Sequence, residues 1–517
     1  MDKILVFDFG GQSTQLIGRR IRQLGVYCEI VRGDARIDEM DFTTAKGIIL
    51  SGSPYSVYEP GAPTVDARIY DAGLPILGIC YGLQRVSADR GGTVSALGKK
   101  EYGRARINLQ DRALLFSRLP EDSFMSWMSH GDSVTGTPRG FRIIGSSESG
   151  IPAAFVDEKN RIWGVQFHPE ASHCQYGMEI LGAFAIDICA AREDWNMTAF
   201  LSREREELVK RVGDRQVVLL ISGGVDSCVV AALLLKSLDP RRIHLMYIDT
   251  GLMRQGESDE VRASLGELGA VHVHSIDASQ RFFTGLAGVT DPEQKRRIIG
   301  DLFMHVQAEE IRGLGIRDAF LAQGTLYTDL IESGRGVGDK AHLIKTHHNV
   351  RSPLVEAMRA EGKIIEPLSS LYKDEVRELG LTLGLPRAVV NRHPFPGPGL
   401  AVRILGEVTR ENSALLRKAD ALFLAELRGR GLYEKIWQAF CVLLPIRSVG
   451  VSGDMRRYGN VLALRAVTSL DAITADVFPM EMNDLLEISS VITNNIPEIG
   501  RVVYDVSSKP PATIEWE

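Results

Sequence analysis

The chain has 517 residues, of which 44% are hydrophobic and 24% are charged; this composition is typical of a globular protein with an ample core, and the length predicts about three domains. Its 60 lysine and arginine residues against 66 aspartate and glutamate residues give a net charge of −6, which argues against a broad nucleic-acid or membrane-surface interface but not against a local basic pocket. The six cysteines are scattered without a Cys-x-x-Cys pair, which predicts reduced thiols in a cytoplasmic protein and no zinc site.

Strands and helices alternate in residues 1–194. The sequence predicts strands at ILVFDFG, GIILSG, PILGIC and IWGVQF, and each ends in a loop that contains Gly, Ser, Cys or His. Open α/β sheets place functional groups at the carboxyl ends of their strands. The opening MDKILVFDFGG indicates a strand and a turn rather than a signal peptide, and no apolar run approaches the roughly 20 residues of a membrane helix. We therefore expect an α/β domain here and no membrane partner.

The segment GICYG (78–82) places Cys80 between an apolar strand and the start of a helix. This is the pattern of a nucleophile elbow with cysteine in place of serine, and a helix N-terminus favours the thiolate. His168 and Glu170, in FHPE, follow another strand, so His168 could take the thiol proton while Glu170 orients the imidazole. The alternative is a structural buried cysteine and two loop residues with local hydrogen bonds.

These motifs resemble those of class I glutamine amidotransferases, which hydrolyse glutamine with a Cys-His-Glu triad. The resemblance implies that Cys80 is the nucleophile, His168 the base and Glu170 its orienting carboxylate. SGSPYSVY (51–58) resembles the oxyanion loop of the family, so the main chains of Gly52 and Tyr81 would stabilise the tetrahedral oxyanion. The residues expected to hold glutamine are Gln84, Ser129, His130 and Asp132.

A charged helical stretch after Trp195 predicts the entry to a second domain, residues 195–392, in which strands and helices alternate again. In LLISGGVDSCVV (219–230) a buried strand, the turn Gly223–Gly224 and a helix N-terminus follow one another. Unpaired N–H groups and a positive helix end form an anion site, and a phosphate is the ligand we expect. Since no Gly-Lys-Ser/Thr follows, this is not a Walker loop. An ordinary βα turn is the alternative.

SGGVDS (222–227) resembles the pyrophosphatase loop of ATP-dependent amidating and thiolating enzymes, whose fold is Rossmann-like, of the adenine-nucleotide α-hydrolase type. The resemblance implies that the loop holds the phosphates of ATP and that Asp226 helps to bind Mg²⁺. Asp249, in MYIDTG, would lie near the nucleoside, with a helix cap as its alternative role. The expected ATP-binding residues are Ser222, Gly223, Gly224, Val225, Asp226, Ser227, Cys228 and Asp249.

The Pro/Gly-rich segment HPFPGPGLAVRI after Arg392 predicts another boundary, and residues 393–517 are expected to form a small α+β domain. Several segments, among them KRRIIGDLF (295–303), LYKDEVRELG (371–380) and KPPATIEWE (509–517), resemble the glutamine-hydrolysing GMP synthetase family. The resemblance covers essentially the whole chain. It implies that ATP adenylates the purine O2 of xanthosine 5′-monophosphate (XMP) and that ammonia from glutamine then displaces AMP, giving GMP.

The same resemblance implies further sites and partners. The residues expected to bind XMP are Arg296, Asp454, Lys509, Ile514 and Glu515. Those expected in the adenylation site and its mobile lid are Lys345, His347, His348, Lys373 and Asp374. XMP, ATP with Mg²⁺, and glutamine would be the small-molecule partners, and the last domain would form a homodimer. Residues 349–363 and Thr328 depart from the usual family pattern, and we expect these departures to affect the motion of the lid and its communication with the glutaminase domain rather than the chemistry.

Three other functions are weighed against this interpretation. One is a different glutamine-dependent adenylating enzyme that acts on a carboxylate, in which KPPATIEWE would have no role. A tRNA-modifying relative is disfavoured by the net charge and by the lack of a recognisable RNA-binding module. A catalytically silent paralogue that regulates a partner is disfavoured because the triad and SGGVDS are intact.

Overall fold

The computed structural model describes the chain except for residues 12, 317, 328, 330–352, 453–454 and 470–473. By their internal contacts the described residues fall into two compact units, one containing Met1–Phe200 and the other Leu201–Tyr327 together with residues 353–517. Among the described helices, none combines the length and the hydrophobicity needed to cross a bilayer.

The first unit is built on one mixed sheet. Its elements are β1 (Lys3–Asp8), α1 (Thr14–Gln23), β2 (Tyr27–Arg32), β3 (Ala45–Leu50), β4 (Ile76–Ile79), α2 (Tyr81–Asp89), β5 (Thr93–Leu109), β6 (Ser123–Gly136), β7 (Arg142–Ser147), β8 (Pro152–Asp157), β9 (Ile162–Val165) and α3 (Gly177–Gly182), and α4 (Met197–Val212) follows. The strand order is β2-β1-β3-β4-β9-β8-β7-β5-β6.

The parallel half of this sheet positions the first site. Strands β2, β1, β3, β4 and β9 are parallel to one another, and β9 pairs antiparallel with β8 on its other side. The apolar residues of β4 and β9 are buried, as expected for strands covered on both faces. Because parallel strands end at the same sheet edge, the loops after β1, β3, β4 and β9 meet there.

The second unit begins with a parallel sheet. The elements of this part are β10 (Val217–Ile221), α5 (Val225–Ser237), β11 (Ile243–Asp249), α6 (Glu257–Glu267), β12 (His272–Asp277), α7 (Ser279–Leu286), α8 (Pro292–Gly313), β13 (Phe320–Ala322), α9 (Pro353–Ala360), β14 (Ile364–Ile365), α10 (Lys373–Thr382) and α11 (Arg387–Val390). The order is β12-β11-β10-β13-β14. The chain moves outward from β10 to β12 and returns on the other side of β10, so the crevice beside β10 is a topological switch point, where open α/β sheets bind ligands.

The same unit continues into a smaller antiparallel sheet with helices. Its elements are α12 (Arg410–Gly429), β15 (Gln438–Ser452), β16 (Met455–Thr468), β17 (Asp476–Val477), α13 (Met482–Asn495) and β18 (Ile499–Tyr504). β15 and β16 form a long antiparallel hairpin, and β18 pairs parallel with β16. One hydrophobic cluster includes Leu252, Leu400 and Leu464, so the two sheets of this unit share a core. The predicted limits of the three domains stay predictions.

Candidate active sites

Cys80 lies on a sharp turn between β4 and α2. Its backbone is in the left-handed region, with φ 52° and ψ −106°, which costs an L-residue free energy and marks functional turns. Neighbouring glycines make the turn possible: a Cβ at Gly82 would lie 2.1 Å from the main-chain oxygen of Leu50, and one at Gly78 2.6 Å from the nitrogen of Leu83. The sulfur therefore sits at the amino end of a helix, where a thiolate is favoured.

His168 and Glu170 form a tight pair beside this sulfur. His168 Nδ1 lies 2.7 Å from Glu170 Oε1, and the Glu170 side chain is fully buried. Burial opposes the charged imidazole, but the Glu170 carboxylate and the Cys80 thiol outweigh it and raise the pKa of His168 well above its usual value. The three side chains thus have the arrangement of a nucleophile, a base and an orienting carboxylate.

The loop after β3 lies against the same group. A Cβ placed on Gly52 would be 3.3 Å from His168 Cε1 and 3.9 Å from Cys80 Cβ. A side chain here would fill the space beside the nucleophile. The main chain of Gly52 is therefore close enough to serve, with that of Tyr81, the oxyanion role expected for it.

The residues expected to hold glutamine form a second group near Cys80. Its Sγ lies 3.9 Å from the Ser129 main-chain oxygen. His130 Nδ1 lies 2.9 Å from the main-chain oxygen of Asp132, and His130 Nε2 lies 3.3 Å from Glu101 Oε2. Burial is the main cause that lowers the pKa of His130. The sequence does not indicate Glu101 as a partner of His130, because the two residues lie on different strands and share no motif.

Gln166 is a second residue that the sequence analysis did not single out. Its side chain is 1% exposed, and its Nε2 lies 3.6 Å from Cys80 Sγ. Gln84 Nε2 donates to Gln166 Oε1 at 3.3 Å and to the Asp132 main-chain oxygen at 2.8 Å. The sequence nevertheless contains a signal for Gln166: it is a polar residue directly after a buried strand and two residues before His168, and a buried polar side chain requires hydrogen-bond partners.

The turn after β10 has the geometry of an anion site. Gly223 has φ +78°, and α5 begins directly after Gly224. The Ser222 and Ser227 hydroxyls lie 3.3 Å apart, and Gly224 N–H donates to Ser222 Oγ at 3.3 Å. Hydroxyls, main-chain N–H groups and a helix N-terminus thus converge at the switch point of the sheet.

Lys373 reaches this turn from the first residue of α10. Its Nζ lies 2.6 Å from both carboxylate oxygens of Asp226. The loop after β13 packs beside the pair. A Cβ placed on Gly324 of this loop would be 3.4 Å from Asp226 Cβ and from the nitrogen of Ser227. The structure therefore places a carboxylate and an ammonium group together at the predicted phosphate site.

Two other residues predicted near ATP, Asp249 and Cys228, have structural surroundings of their own. Asp249 Oδ1 accepts from Gly251 N–H at 2.8 Å and Oδ2 from Ser258 Oγ at 2.7 Å, so the carboxylate stabilises the turn after β11. Cys228 is buried, and burial raises the pKa of its thiol to about 11. Arg392, which the sequence did not indicate, donates to the Gly223 main-chain oxygen at 3.3 Å.

The last residues of the chain contact α8. Arg296 Nη2 donates to the main-chain oxygen of Glu517. The neighbouring Lys295 is fully buried, and its Nζ donates to Ile404 O at 2.7 Å and to Glu517 Oε2 at 2.5 Å. Arg296 thus lies next to the terminal segment that was expected to bind XMP with it.

Within that segment, Glu515 is held by buried partners. Its carboxylate accepts from Arg403 Nε at 3.0 Å and Nη2 at 2.8 Å, and from Gln438 Nε2 at 2.7 Å. Ile514 is 8% exposed in a small apolar cluster, and the Lys509 main chain pairs with Ala475. Asp374 lies in the first turn of α10. The predicted residues Lys345, His347, His348 and Asp454 lie outside the described part of the chain.

Known proteins match both ends of the chain and its whole length. A family model described as glutamine amidotransferase class-I matches residues 5–188, and one described as GMP synthase C terminal domain matches residues 425–516. The glutamine-hydrolyzing GMP synthase of Lactobacillus acidophilus is 48% identical over 517 residues, covering 100% of this chain and 98% of that one. The chain belongs to the glutamine-hydrolysing GMP synthase family.

Two further relatives carry the same name. The protein from Symbiobacterium thermophilum is 48% identical and covers 100% of this chain and 99% of its own length, and that from Aquifex aeolicus is 47% identical with 99% and 99% covered. The family predicted from the motifs and the α/β fold with an amidotransferase domain are therefore confirmed. The roles of individual site residues stay predictions.

Proposed function

We propose that this protein is an enzyme that converts XMP to GMP, with glutamine as the nitrogen donor and ATP cleaved to AMP and pyrophosphate. The observation that carries the proposal is the match to glutamine-hydrolyzing GMP synthases over the full length of the chain. The geometry supports it, because a Cys-His-Glu group occupies the first unit and a phosphate-type turn occupies the second.

In the first unit Cys80 attacks the amide carbon of glutamine. His168, held by Glu170, carries the thiol proton to the leaving nitrogen, so that ammonia departs and a glutamyl thioester remains. Water then cleaves the carbon–sulfur bond, glutamate leaves and the thiol is restored. The main-chain N–H groups of Gly52 and Tyr81 stabilise the negative oxygen in each tetrahedral state.

In the second unit the turn at 222–227 holds the ATP phosphates. The purine O2 of XMP bonds to the α-phosphorus while pyrophosphate leaves, and ammonia then bonds to C2 while AMP leaves. The hydroxyls of Ser222 and Ser227 donate hydrogen bonds to phosphate oxygens. The ammonium group of Lys373, which contacts Asp226 in the structure, also contacts the phosphates when ATP binds. These groups position polyanionic substrates and balance their charge.

The Mg²⁺ expected with ATP fits the residues present. Asp226 supplies one carboxylate beside the phosphate turn, and Mg²⁺ is commonly held by one or two carboxylates together with substrate phosphates. When bound, the ion neutralises phosphate charge. Asp226 accepts from Lys373, so the lysine and the ion would share this carboxylate.

XMP is held between α8 and the terminal segment. Arg296 and Lys509 suit its 5′-phosphate, and Glu515 suits ring N–H or ribose hydroxyl groups. Support comes from the contact of Arg296 with Glu517, which joins the two predicted parts of this pocket. Lys345, His347, His348, Asp374 and Asp454 complete the predicted adenylation and XMP sites.

The deciding experiment measures AMP release by the purified protein with ATP, Mg²⁺ and ammonium, with and without XMP. AMP release that requires XMP and equals GMP formation supports the proposal. AMP release with a carboxylate acceptor but not with XMP would favour the other adenylating enzymes. A folded protein that binds ATP and releases no AMP would favour the silent paralogue.

We also propose a homodimer formed by the C-terminal part, in the cytoplasm. The long hairpin of β15 and β16 exposes apolar side chains on one face: Val449 is 50%, Val451 79% and Tyr458 57% exposed. Val449 and Tyr458 are directly paired across the hairpin. Such a cluster is typical of a surface that a partner covers, and a second copy of the chain is the partner we propose.

A further inference from the structure

A chain of side-chain amides leads from the glutamine-holding segment to the reactive sulfur. Gln84 Nε2 donates to the Asp132 main-chain oxygen at 2.8 Å and to Gln166 Oε1 at 3.3 Å, and Gln166 Nε2 donates to Cys80 Sγ at 3.6 Å. Gln84 and Gln166 are 3% and 1% exposed. Both amides are thus fixed in an interior that excludes competing water.

The direction of this chain is set by chemistry. A main-chain carbonyl oxygen can only accept, so the Gln84 atom that faces Asp132 is the NH₂ nitrogen. The second N–H of that nitrogen points at Gln166, which must therefore present its oxygen. It follows that Gln166 presents its NH₂ group, a donor, to the sulfur of Cys80.

We propose that Gln166 is a further catalytic residue, whose buried amide donates an N–H to Cys80 Sγ and stabilises the thiolate, and that Gln84 is the positioning residue that fixes this donor. The inference rests on the role of Cys80 as the nucleophile of the proposed function. The amide joins His168 and the N-terminus of α2 as the third group that favours negative charge on this sulfur.

The donor acts twice in glutamine hydrolysis. Before the attack it stabilises the thiolate relative to the thiol, at some cost in nucleophilicity. When water cleaves the thioester, the electron pair of the carbon–sulfur bond returns to sulfur, and the amide stabilises the departing thiolate. Hydrogen bonds to charged groups are stronger than those to neutral ones, so the contact is weakest in the thioester and strongest in the thiolate.

Another buried thiol in the same unit provides the contrast. Cys174 is 8% exposed and its Sγ accepts from Ser126 Oγ at 3.2 Å. Burial nevertheless raises the pKa of this thiol to about 11. The Ser126 hydroxyl alone thus leaves Cys174 a buried thiol, whereas the sulfur of Cys80 has the donor of Gln166 together with the helix end and His168.

The test is the pH dependence of iodoacetamide alkylation, read at each cysteine by peptide mass spectrometry on the full-length protein. The variants are Gln166→Leu, which removes the donor, and Gln166→Glu, which keeps the shape but turns an anionic oxygen toward the sulfur. In Gln166→Leu the pH of half-maximal alkylation of Cys80 should rise by about one unit, and in Gln166→Glu by more. Cys174 should remain unreactive at neutral pH in every sample.

Activity assays on the same samples separate this effect from misfolding. Glutamine-dependent turnover should fall about tenfold at neutral pH and recover as the pH is raised, whereas ammonium-dependent turnover should stay unchanged. A Cys80 alkylation profile identical to that of the unmodified protein, in a folded Gln166→Glu sample, would overturn the proposal. The alkylation readout needs no turnover, so it decides the role of Gln166 even if the proposed reaction is wrong.

Discussion

At the scale of single residues, the position of Cys80 separates two roles that a sequence cannot separate. Buried free cysteines are common and mostly inert, and all six cysteines here are buried and unpaired. Among these six cysteines, all in the described part of the chain, only Cys80 has a positive φ, 52°, and its sulfur lies beside the His168–Glu170 pair. Strain together with a charged neighbour favours a reactive thiol over a packing residue.

The first prediction concerns this thiol. Cys80→Ala should abolish GMP formation from glutamine and leave formation from ammonium salts within about twofold, because the variant removes the nucleophile but not the synthetase site. The measurement is GMP release with each nitrogen source. Cys174→Ala is the matched control and should retain both activities. Loss of both in a folded Cys80→Ala sample would contradict the assignment of two sites.

A second prediction follows from the raised pKa of His168. In Glu170→Gln the carboxylate charge is lost while burial remains, so the imidazole should lose its proton at a lower pH than in the unmodified protein. NMR titration of the His168 ring measures this directly. Glutamine-dependent turnover should fall by roughly 10²–10⁴-fold, as expected when a general base loses the carboxylate that orients it.

The control for that experiment is an exposed carboxylate. Asp187 accepts from Arg118 at 2.7 and 2.8 Å on the surface of the same unit. Asp187→Asn should change neither the His168 titration nor turnover. An unchanged His168 titration in Glu170→Gln would show that another group sets its charge.

At the scale of elements, the local parts of both sites could be predicted. β4, the turn at Cys80 and α2 follow directly in the chain, as do β10, the turn at Gly223 and α5, and apolar runs, glycines and helix starts are short-range signals. Gln166 and Cys80 are 86 residues apart, and Arg403 and Glu515 are 112 apart. Contacts at such separations depend on how strands assemble, which no local pattern encodes.

The third prediction tests the turn after β10. Gly223 has φ +78°, and a Cβ there would lie 3.1 Å from Glu257 Oε1 and 3.4 Å from Val261 Cγ2. Gly223→Ala should therefore lower the free energy of unfolding by about 1–2 kcal/mol and raise the KM for ATP at least tenfold by displacing the turn. Denaturant titration and AMP release measure the two effects.

Gly256 provides the control for this glycine. It also has positive φ, +74°, but a Cβ there would meet no atom within 4 Å. Gly256→Ala should have a similar conformational cost without a change in the KM for ATP. Equal KM values in the two variants would mean that the turn at 222–227 does not hold the nucleotide.

At the scale of the whole molecule, the packing predicts how the chain unfolds. Leu252 of the parallel-sheet part and Leu464 of the hairpin belong to one hydrophobic cluster, and the fully buried Lys295 joins α8 to the terminal segment. Residues that share a core usually unfold together. Scanning calorimetry should therefore resolve two cooperative transitions, not the three that three separate domains would give.

The last prediction concerns assembly. We propose that a second copy of the chain covers the face that carries Val449, Val451 and Tyr458. A charged side chain introduced on this face would then be buried without a partner in the dimer, and the cost of burying it would prevent association. Val449→Glu with Val451→Glu should convert a dimer into a monomer in sedimentation analysis, because alternate residues of a strand share one face. Val209→Glu, at a valine 49% exposed on α4, is the control and should leave the mass unchanged. A double variant that sediments as the unmodified protein does would place the dimer interface elsewhere or show that the chain is monomeric.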